Sequence, residues 1–260
     1  MDVIVVAGGA SPSKDELLAQ TGVEKKALIE IGGRAMVCYV VEALAAVPQV
    51  ENIVIVGLGP EDGLEFSVPV EYVEARGDIL DNCMAGMEHL RRINPAVEWV
   101  IFSSADIPLL TPEAAKHFIE ACFSAEGDIY YPIVEKSIME ARFPSSGRTY
   151  APLRDGSFAG GDIFMVRASA LQLNLHLVRR LIEARKSIWQ LVKLIGPKMI
   201  FKFLTRRLTL AEAEKIVGRA LNCRGKAIIS PHAELAMDVD KVHQMEMVRS
   251  LLEAQGGQKR

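Results

Sequence analysis

The stretch VIVVAGGASPSKDELLAQTGVEKKALIEIGGRAMV, residues 3–37, decides how this chain is read. Val3–Ala7 is a short apolar, β-branched run without polar alternation, the pattern of a strand buried on both faces. It empties into Ala7-Gly8-Gly9-Ala10, where glycine lets a backbone approach phosphate oxygens with no side chain in between. The turn fits neither common phosphate loop. A dinucleotide fingerprint needs Gly-x-Gly-x-x-Gly and an acid ending the second strand of a strand–helix–strand unit. Glu30 has the interval, but residues 10–26 are too polar for the crossover helix. A Walker loop needs glycine before its lysine and a hydroxyl after it, whereas Lys14 stands between Ser13 and Asp15.

Working outward, similar apolar runs recur at Ile53–Gly57, Trp99–Ser103, Ile129–Val134 and Ile163–Val166. Ala35–Val47, Leu80–Ile93 and Pro112–Ala125 lie between them with apolar residues three and four apart, and Thr111-Pro112-Glu113 is a capped helix start. Strand then helix, repeated, predicts a mostly parallel α/β sheet. The pattern breaks over residues 135–161, rich in Arg, Pro, Ser and Gly and without clear periodicity. Long segments of that kind in a compact domain are functional or mobile. Residues 171–222 read as helical, Ala227–Ser230 as a late strand, and Lys241–Ala254 as a final amphipathic helix. One domain spanning 1–260 with one insertion is expected.

Half of the 260 residues are apolar, a quarter are charged and the net charge is −3, a balance from which no nucleic-acid partner follows. The four cysteines stand singly, without Cys-x-x-Cys or a short spacing to histidine, so no zinc site is expected. A reduced, cytoplasmic chain is the simplest reading, since no export signal and no run of 18 apolar residues is seen. One segment departs from the average. Residues 179–207 hold nine Lys/Arg and one acid, Glu183, leaving a net −11 on the remainder. With Trp189, Phe201 and Phe203 interleaved, this region suits a polyanionic ligand or peripheral contact with an anionic membrane, or equally a solvated basic face packed on the core.

Three further features carry chemistry. Lys26, in KKALIEIGGRAMV, precedes a Gly-Gly turn that returns the chain toward the first loop, and a lysine there suits triphosphate or departing pyrophosphate. In WVIFSSADIPLLTPEAA an apolar strand ends in Asp106, where α/β folds place ligand chemistry. Hard carboxylate oxygens at such a point suit Mg²⁺. In ELAMDVDKV, Asp238 and Asp240 are alternate residues of an extended segment and point the same way. One of them can complete a metal shell with Asp106, and Asp240 is equally placed to cap the last helix.

In this order the parts resemble the MobA-like nucleotidyltransferases, related to sugar-phosphate nucleotidyltransferases and the isoprenoid-pathway cytidylyltransferase. The resemblance covers residues 1–170 and 225–255, leaving the basic helical insertion at 171–222 outside the common core. It implies a three-layer Rossmann-like fold with a mostly parallel mixed sheet. It implies, too, that Ala7, Gly8, Gly9, Ala10 and Lys14 hold the nucleotide, with Lys26 on its phosphates. Arg76, Gly77, Asp78 and Asn82, in ARGDILDNCMAG, would contact the base. Gly160, Gly161 and Asp162 would line the acceptor side. Asp106, with Asp240 or Asp238, would hold Mg²⁺. The sequence departs from the family at the loop arginine, which is missing, and at Lys25, which replaces a proline.

The activity implied is transfer of a nucleoside monophosphate, from CTP or GTP, to a phosphorylated small-molecule acceptor with release of pyrophosphate. Lys136, Arg142, Arg148 and Arg154 are candidates to clamp that acceptor. The rivals are a glycosyltransferase, which usually carries Asp-x-Asp where this chain has Ser104-Ala105-Asp106, and a nucleotide-binding regulatory module without turnover. A monomer or a homodimer is expected.

Overall fold

The computed structural model describes residues 1–8, 16–171, 177, 179 and 196–257. Its strands are β1 (Asp2–Val6), β2 (Glu30–Ile31), β3 (Arg34–Ala35), β4 (Asn52–Val56), β5 (Glu71–Val73) and β6 (Trp99–Ser104). They continue with β7 (Ile129–Glu135), β8 (Ala151–Leu153), β9 (Gly156–Gly160), β10 (Ile163–Arg167) and β11 (Gly225–Ile229). β2 and β3 form a separate small hairpin. The other nine make one mixed sheet in the order β5-β4-β1-β6-β10-β7-β9-β8, with β11 paired to β7. The described helices are α1 (Glu16–Thr21), α2 (Met36–Ala45), α3 (Ile79–Ile93), α4 (Pro112–Phe123), α5 (Lys136–Arg142), α6 (Pro197–Leu204), α7 (Leu210–Leu221) and α8 (Val242–Gly257).

The half of the sheet that builds the cleft is parallel, β1 pairing in register with Asn52–Val56 on one side and Val100–Ser104 on the other. That register brings Ala7, Gly57 and Ala105 out of the sheet together at its C-terminal edge. β1 is buried on both faces as its composition demands. Val3 and Val5 pack with Ile53, Ile55 and Ile101 under α2 and α4. Ile4 packs with Val54, Val56 and Phe102 under α3, giving three layers. α3 starts at Asp78, whose side chain accepts from the Leu80 and Asp81 N–H groups, with Asp81 answering on the Asp78 N–H. A second apolar cluster of Leu17, Ile31, Met139, Val239, Met245 and Val248 seats the segment before α8 against α1, β2 and α5.

The expected strands and helices stand within one to three residues of their predicted ends. Residues 135–161 are the correction. They hold α5 and the β8–β9 hairpin, which period-based reading misses because Gly156–Gly160 (GSFAG) carries a single large apolar side chain. β9 runs through Gly161-Asp162 into β10, and β10 enters antiparallel to β6. Glu30, the candidate acid of the rejected dinucleotide reading, lies in the small hairpin and not at the end of a second parallel strand. Most of the basic run, residues 180–195, lies outside the described residues, as do Gly9, Ala10 and Lys14.

Two backbones cross closely at Gly8 and Gly57. Gly57 has φ +99°, and a Cβ on it would lie 2.5 Å from the Gly8 Cα and N atoms. Gly57→Ala should therefore lower stability by about 2 kcal/mol or more, combining a strained backbone with a backbone clash. Denaturant unfolding checks this, and a wild-type midpoint would contradict it.

Candidate active site

A cleft of about 580 Å³ opens at the C-terminal edge of the parallel strands. Ala7, Gly8, Lys26, Ser104, Asp106, Gly161, Asp162 and Asp240 all line it. Lys26 begins a short 3₁₀ turn, Lys26–Leu28, fixed from both ends. On one side Ala27 is buried in the core. On the other, the Lys25 ammonium donates to both carboxylate oxygens of Asp62 at 2.9 Å, and Asp62 also accepts from the Gly59 N–H. Burial alone would raise the Asp62 carboxyl, but the Lys25 hydrogen bond holds it below the usual carboxylate range.

The Lys26 ammonium donates to Asp106 Oδ2 at 2.5 Å and to Asp240 Oδ1. Burial pulls that ammonium down, yet the two carboxylates outweigh it and hold it above its ordinary value. The Ser104 hydroxyl donates to the second Asp106 oxygen, Oδ1. Asp240 is pushed up by burial and pulled further down by Lys26, so it stays ionised. It is not spent on capping α8: its N–H and that of Lys241 both donate to Gln244 Oε1.

Backbone bonds lock the surrounding segments together. The Val239 N–H donates to the Asp106 carbonyl at 3.0 Å, Asp162 N–H to the Leu235 carbonyl at 3.0 Å, and Ser104 N–H to the Asp162 carbonyl at 2.9 Å. Gly161 fits here for lack of a Cβ, which would meet the Leu235 carbonyl at 2.7 Å. A second cation completes the floor. Arg148 donates to Asp238, to the Gly160 carbonyl at 2.9 Å and, at a longer 3.4 Å, to Asp162. Burial and then the Asp238 charge push the Asp162 carboxyl up to about 8, against the pull of Arg148. Burial likewise raises Asp238 to about 6. The two acids of Asp-Val-Asp thus meet different cations, Asp238 with Arg148 and Asp240 with Lys26.

The opposite wall is built differently. The N–H groups of Ala7 and Gly8 both donate to the Val56 carbonyl, at 2.8 and 3.1 Å, so these two residues offer the cleft a close wall and not free donors. Asn82 is buried; its Oδ1 accepts from the Arg76 N–H at 2.5 Å and its Nδ2 reaches the Gly8 carbonyl at 3.4 Å, joining loop to helix. Gly77 has φ +72° and starts the turn into α3. The Asp78 carboxylate takes the N–H groups of Leu80 and Asp81, so the helix start does not present those two to the cleft. Asp78 and Asp81 also pair with Arg179, and the Arg76 guanidinium pairs with Glu88. Beneath lie Phe102 and Phe164, stacked with centroids 5.0 Å apart, beside Cys83, whose thiol burial pushes up to about 12. That thiol is protonated and is no nucleophile.

The structure brings Lys26, Asp106, Asp240, Asp238, Arg148, Asp162, Gly160 and Gly161 into one place, with Ala7 and Gly8 facing them. Arg142 is not brought in: its Nε pairs with Glu234 at 3.1 Å and its guanidinium lies over Phe143. Lys136 lies over the Tyr150 ring, and the Arg154 N–H donates to Leu208. Sequence reasoning missed Lys25–Asp62 and the Ser104 hydroxyl. The signal for Ser104 was period two, which puts residues 104 and 106 on one side of an extended chain.

Residues 3–255 match the MobA-like NTP transferase domain. The chain belongs to the MobA-like NTP transferase family. A hypothetical transferase from Thermus thermophilus is 35% identical to this MobA-like transferase, with a TM-score of 0.82 over 94% of this chain and 98% of that one. The 4-diphosphocytidyl-2C-methyl-D-erythritol synthase of Anaerococcus prevotii has a TM-score of 0.58 at 13% identity, covering 97% of each chain. A CMP:2-keto-3-deoxy-manno-octonic acid synthetase, solved with CTP, has 0.57 at 14% identity, covering 98% of this chain and 99% of that one. At such identities these two show the fold. Comparison with curated proteins gave no match. The MobA-like transferase is a nucleotidyltransferase on a three-layer Rossmann-like fold.

Asp162 gives the apo site a pH signature. Its folded carboxyl sits near 8, above the unfolded value of about 4, so the native state holds the proton longer. Its contribution to stability is full below about pH 4 and is lost as pH rises through about 8. Asp162→Asn should flatten the stability profile between those limits, as read by urea unfolding across pH; an unchanged slope would contradict the assignment.

Proposed function

We propose that this chain transfers a nucleoside monophosphate from CTP or GTP to a phosphorylated small-molecule acceptor, releasing pyrophosphate, and that it does so with Mg²⁺. The observation that carries the reading is the meeting of Asp106, Asp240 and Lys26 at the strand ends. Two carboxylates already converge on one cation, the donor set that suits Mg²⁺ shared with phosphates and water. Asp106 and Asp240 are the residues that would hold the ion; Asp238, engaged by Arg148, is the lesser candidate. Bound there, Mg²⁺ would neutralise phosphate charge and orient the triphosphate.

The chain's own residues do the rest. Lys26 is released from its carboxylates to the triphosphate, where its ammonium offsets charge growing on the pyrophosphate. Lys25 and Asp62 keep the turn that carries it in place. Ala7 and Gly8 let the phosphates approach the strand end, the resemblance adds Gly9, Ala10 and Lys14 as nucleotide-binding residues, and Asn82 holds Gly8 against α3. The Phe102–Phe164 stack offers an apolar floor on the side where Arg76, Gly77 and Asp78 stand. On the other side Gly160, Gly161 and Asp162 would face the acceptor, and Arg148, bonded to Gly160 and Asp162, would supply a cation there. No side-chain nucleophile is needed: one acceptor phosphate oxygen attacks the α-phosphorus, and the bond to pyrophosphate breaks.

A pyrophosphate-release screen of four triphosphates against phosphorylated acceptors with Mg²⁺ tests the reading. We expect turnover with CTP or GTP and one acceptor class, and a loss of about a thousandfold or more in Asp106→Ala. Absence of turnover with every pair would overturn the activity; wild-type turnover in Asp106→Ala would overturn the metal assignment.

A further inference from the structure

α6 is turned inside out relative to an ordinary surface helix. Phe201 and Leu204, three apart and so on one face, are 63% and 72% exposed, whereas Met199 and Lys202, on the opposite side of the helix, are half-buried. Phe203 adds 37% on the flank. Cations frame this face. Lys198, Arg206 and Arg207 are exposed, and no Asp or Glu occurs from Gly196 to Ala211. The helix is held firmly in that orientation. Lys202 pairs with Glu212, Leu208 is buried and accepts the Arg154 N–H at 2.8 Å, and Leu210 N–H donates to Asp155 at 2.6 Å.

We propose that α6 lies on an anionic phospholipid surface, inserting Phe201 and Leu204 between headgroups whose charge Lys198, Arg206 and Arg207 meet. An apolar face bordered by cations is the signature of an interfacial helix, and eight residues lie on a membrane without crossing it. Charge complementarity selects this occupant. Lys198, Arg206 and Arg207 carry +3 with no Asp or Glu between Gly196 and Ala211, on a chain whose net charge is −3, so the attraction is local to this helix. A second copy of the chain would bring like cations face to face across a two-fold axis. The placement is independent of which acceptor is used. It sets the helix beside the hairpin that leads, through β9, to Gly160 and Gly161 in the cleft.

Sedimentation of the full chain with vesicles tests this. Binding to vesicles containing about 30% phosphatidylglycerol should exceed binding to pure phosphatidylcholine more than about tenfold, and about 0.5 M salt should abolish it. F201S/L204S and K198Q/R206Q/R207Q should each lose it with unchanged unfolding midpoints and unchanged triphosphate binding. No binding, equal binding to neutral vesicles, or wild-type binding by both variants would overturn the proposal. A concentration-dependent dimer dissolved by F201S/L204S, without vesicle binding, would assign the face to a second copy instead.

Discussion

The Lys26 ammonium held between Asp106 and Asp240 is the interaction on which the site depends. Its partners lie 80 and 214 residues away in the chain. One strand end, one 3₁₀ turn and one extended segment near the C-terminus must all be correctly placed before those three atoms meet. Most of the architecture serves that requirement. The in-register parallel pairing of β1 with β6 sets Asp106, the Asp62 clamp on Lys25 sets Lys26, and the apolar cluster around Val239 sets Asp240. The same cation spares the apo protein two carboxylates repelling each other in a partly buried place.

Around this core the charges are balanced in pairs, which explains how so acidic a cleft floor folds at all. Four carboxylates, Asp106, Asp162, Asp238 and Asp240, share Lys26 and Arg148. Asp162 is the one left poorly compensated, and its raised carboxyl is the consequence. A bound cation or an anionic phosphate would each redistribute these pairs. The ion pairs of the cleft are thus built from the groups that phosphate chemistry needs, and ligand binding would exchange partners without creating new charges.

How much of this the sequence carried follows from physics. β1, β4 and β6 were legible because a strand buried on both faces must be a short, continuous apolar run. α3 was legible because its apolar residues stand three and four apart, and α4 also because its cap, Thr111, is written in residue type. The β8–β9 hairpin was not, since GSFAG pairs through its backbone and leaves little side-chain signal. Lys26, Asp106 and Asp240 were found through resemblance and strand-end position. The division of Asp238 and Asp240 between two cations was not legible, because alternation says only that both point one way. The engagement of the Ala7 and Gly8 N–H groups was not legible for a similar reason: a glycine turn implies close approach, and the Val56 carbonyl that takes both N–H groups lies 48 or more residues away.

Titrating Mn²⁺ into the protein with a non-hydrolysable triphosphate, and reading free Mn²⁺ by electron paramagnetic resonance, tests whether Asp106 and Asp240 share one cation site that Lys26 vacates. Asp106→Asn and Asp240→Asn should each weaken Mn²⁺ binding by about tenfold or more, and Asp238→Asn should leave it nearly unchanged. Wild-type Mn²⁺ binding in both Asp106→Asn and Asp240→Asn would contradict a shared site.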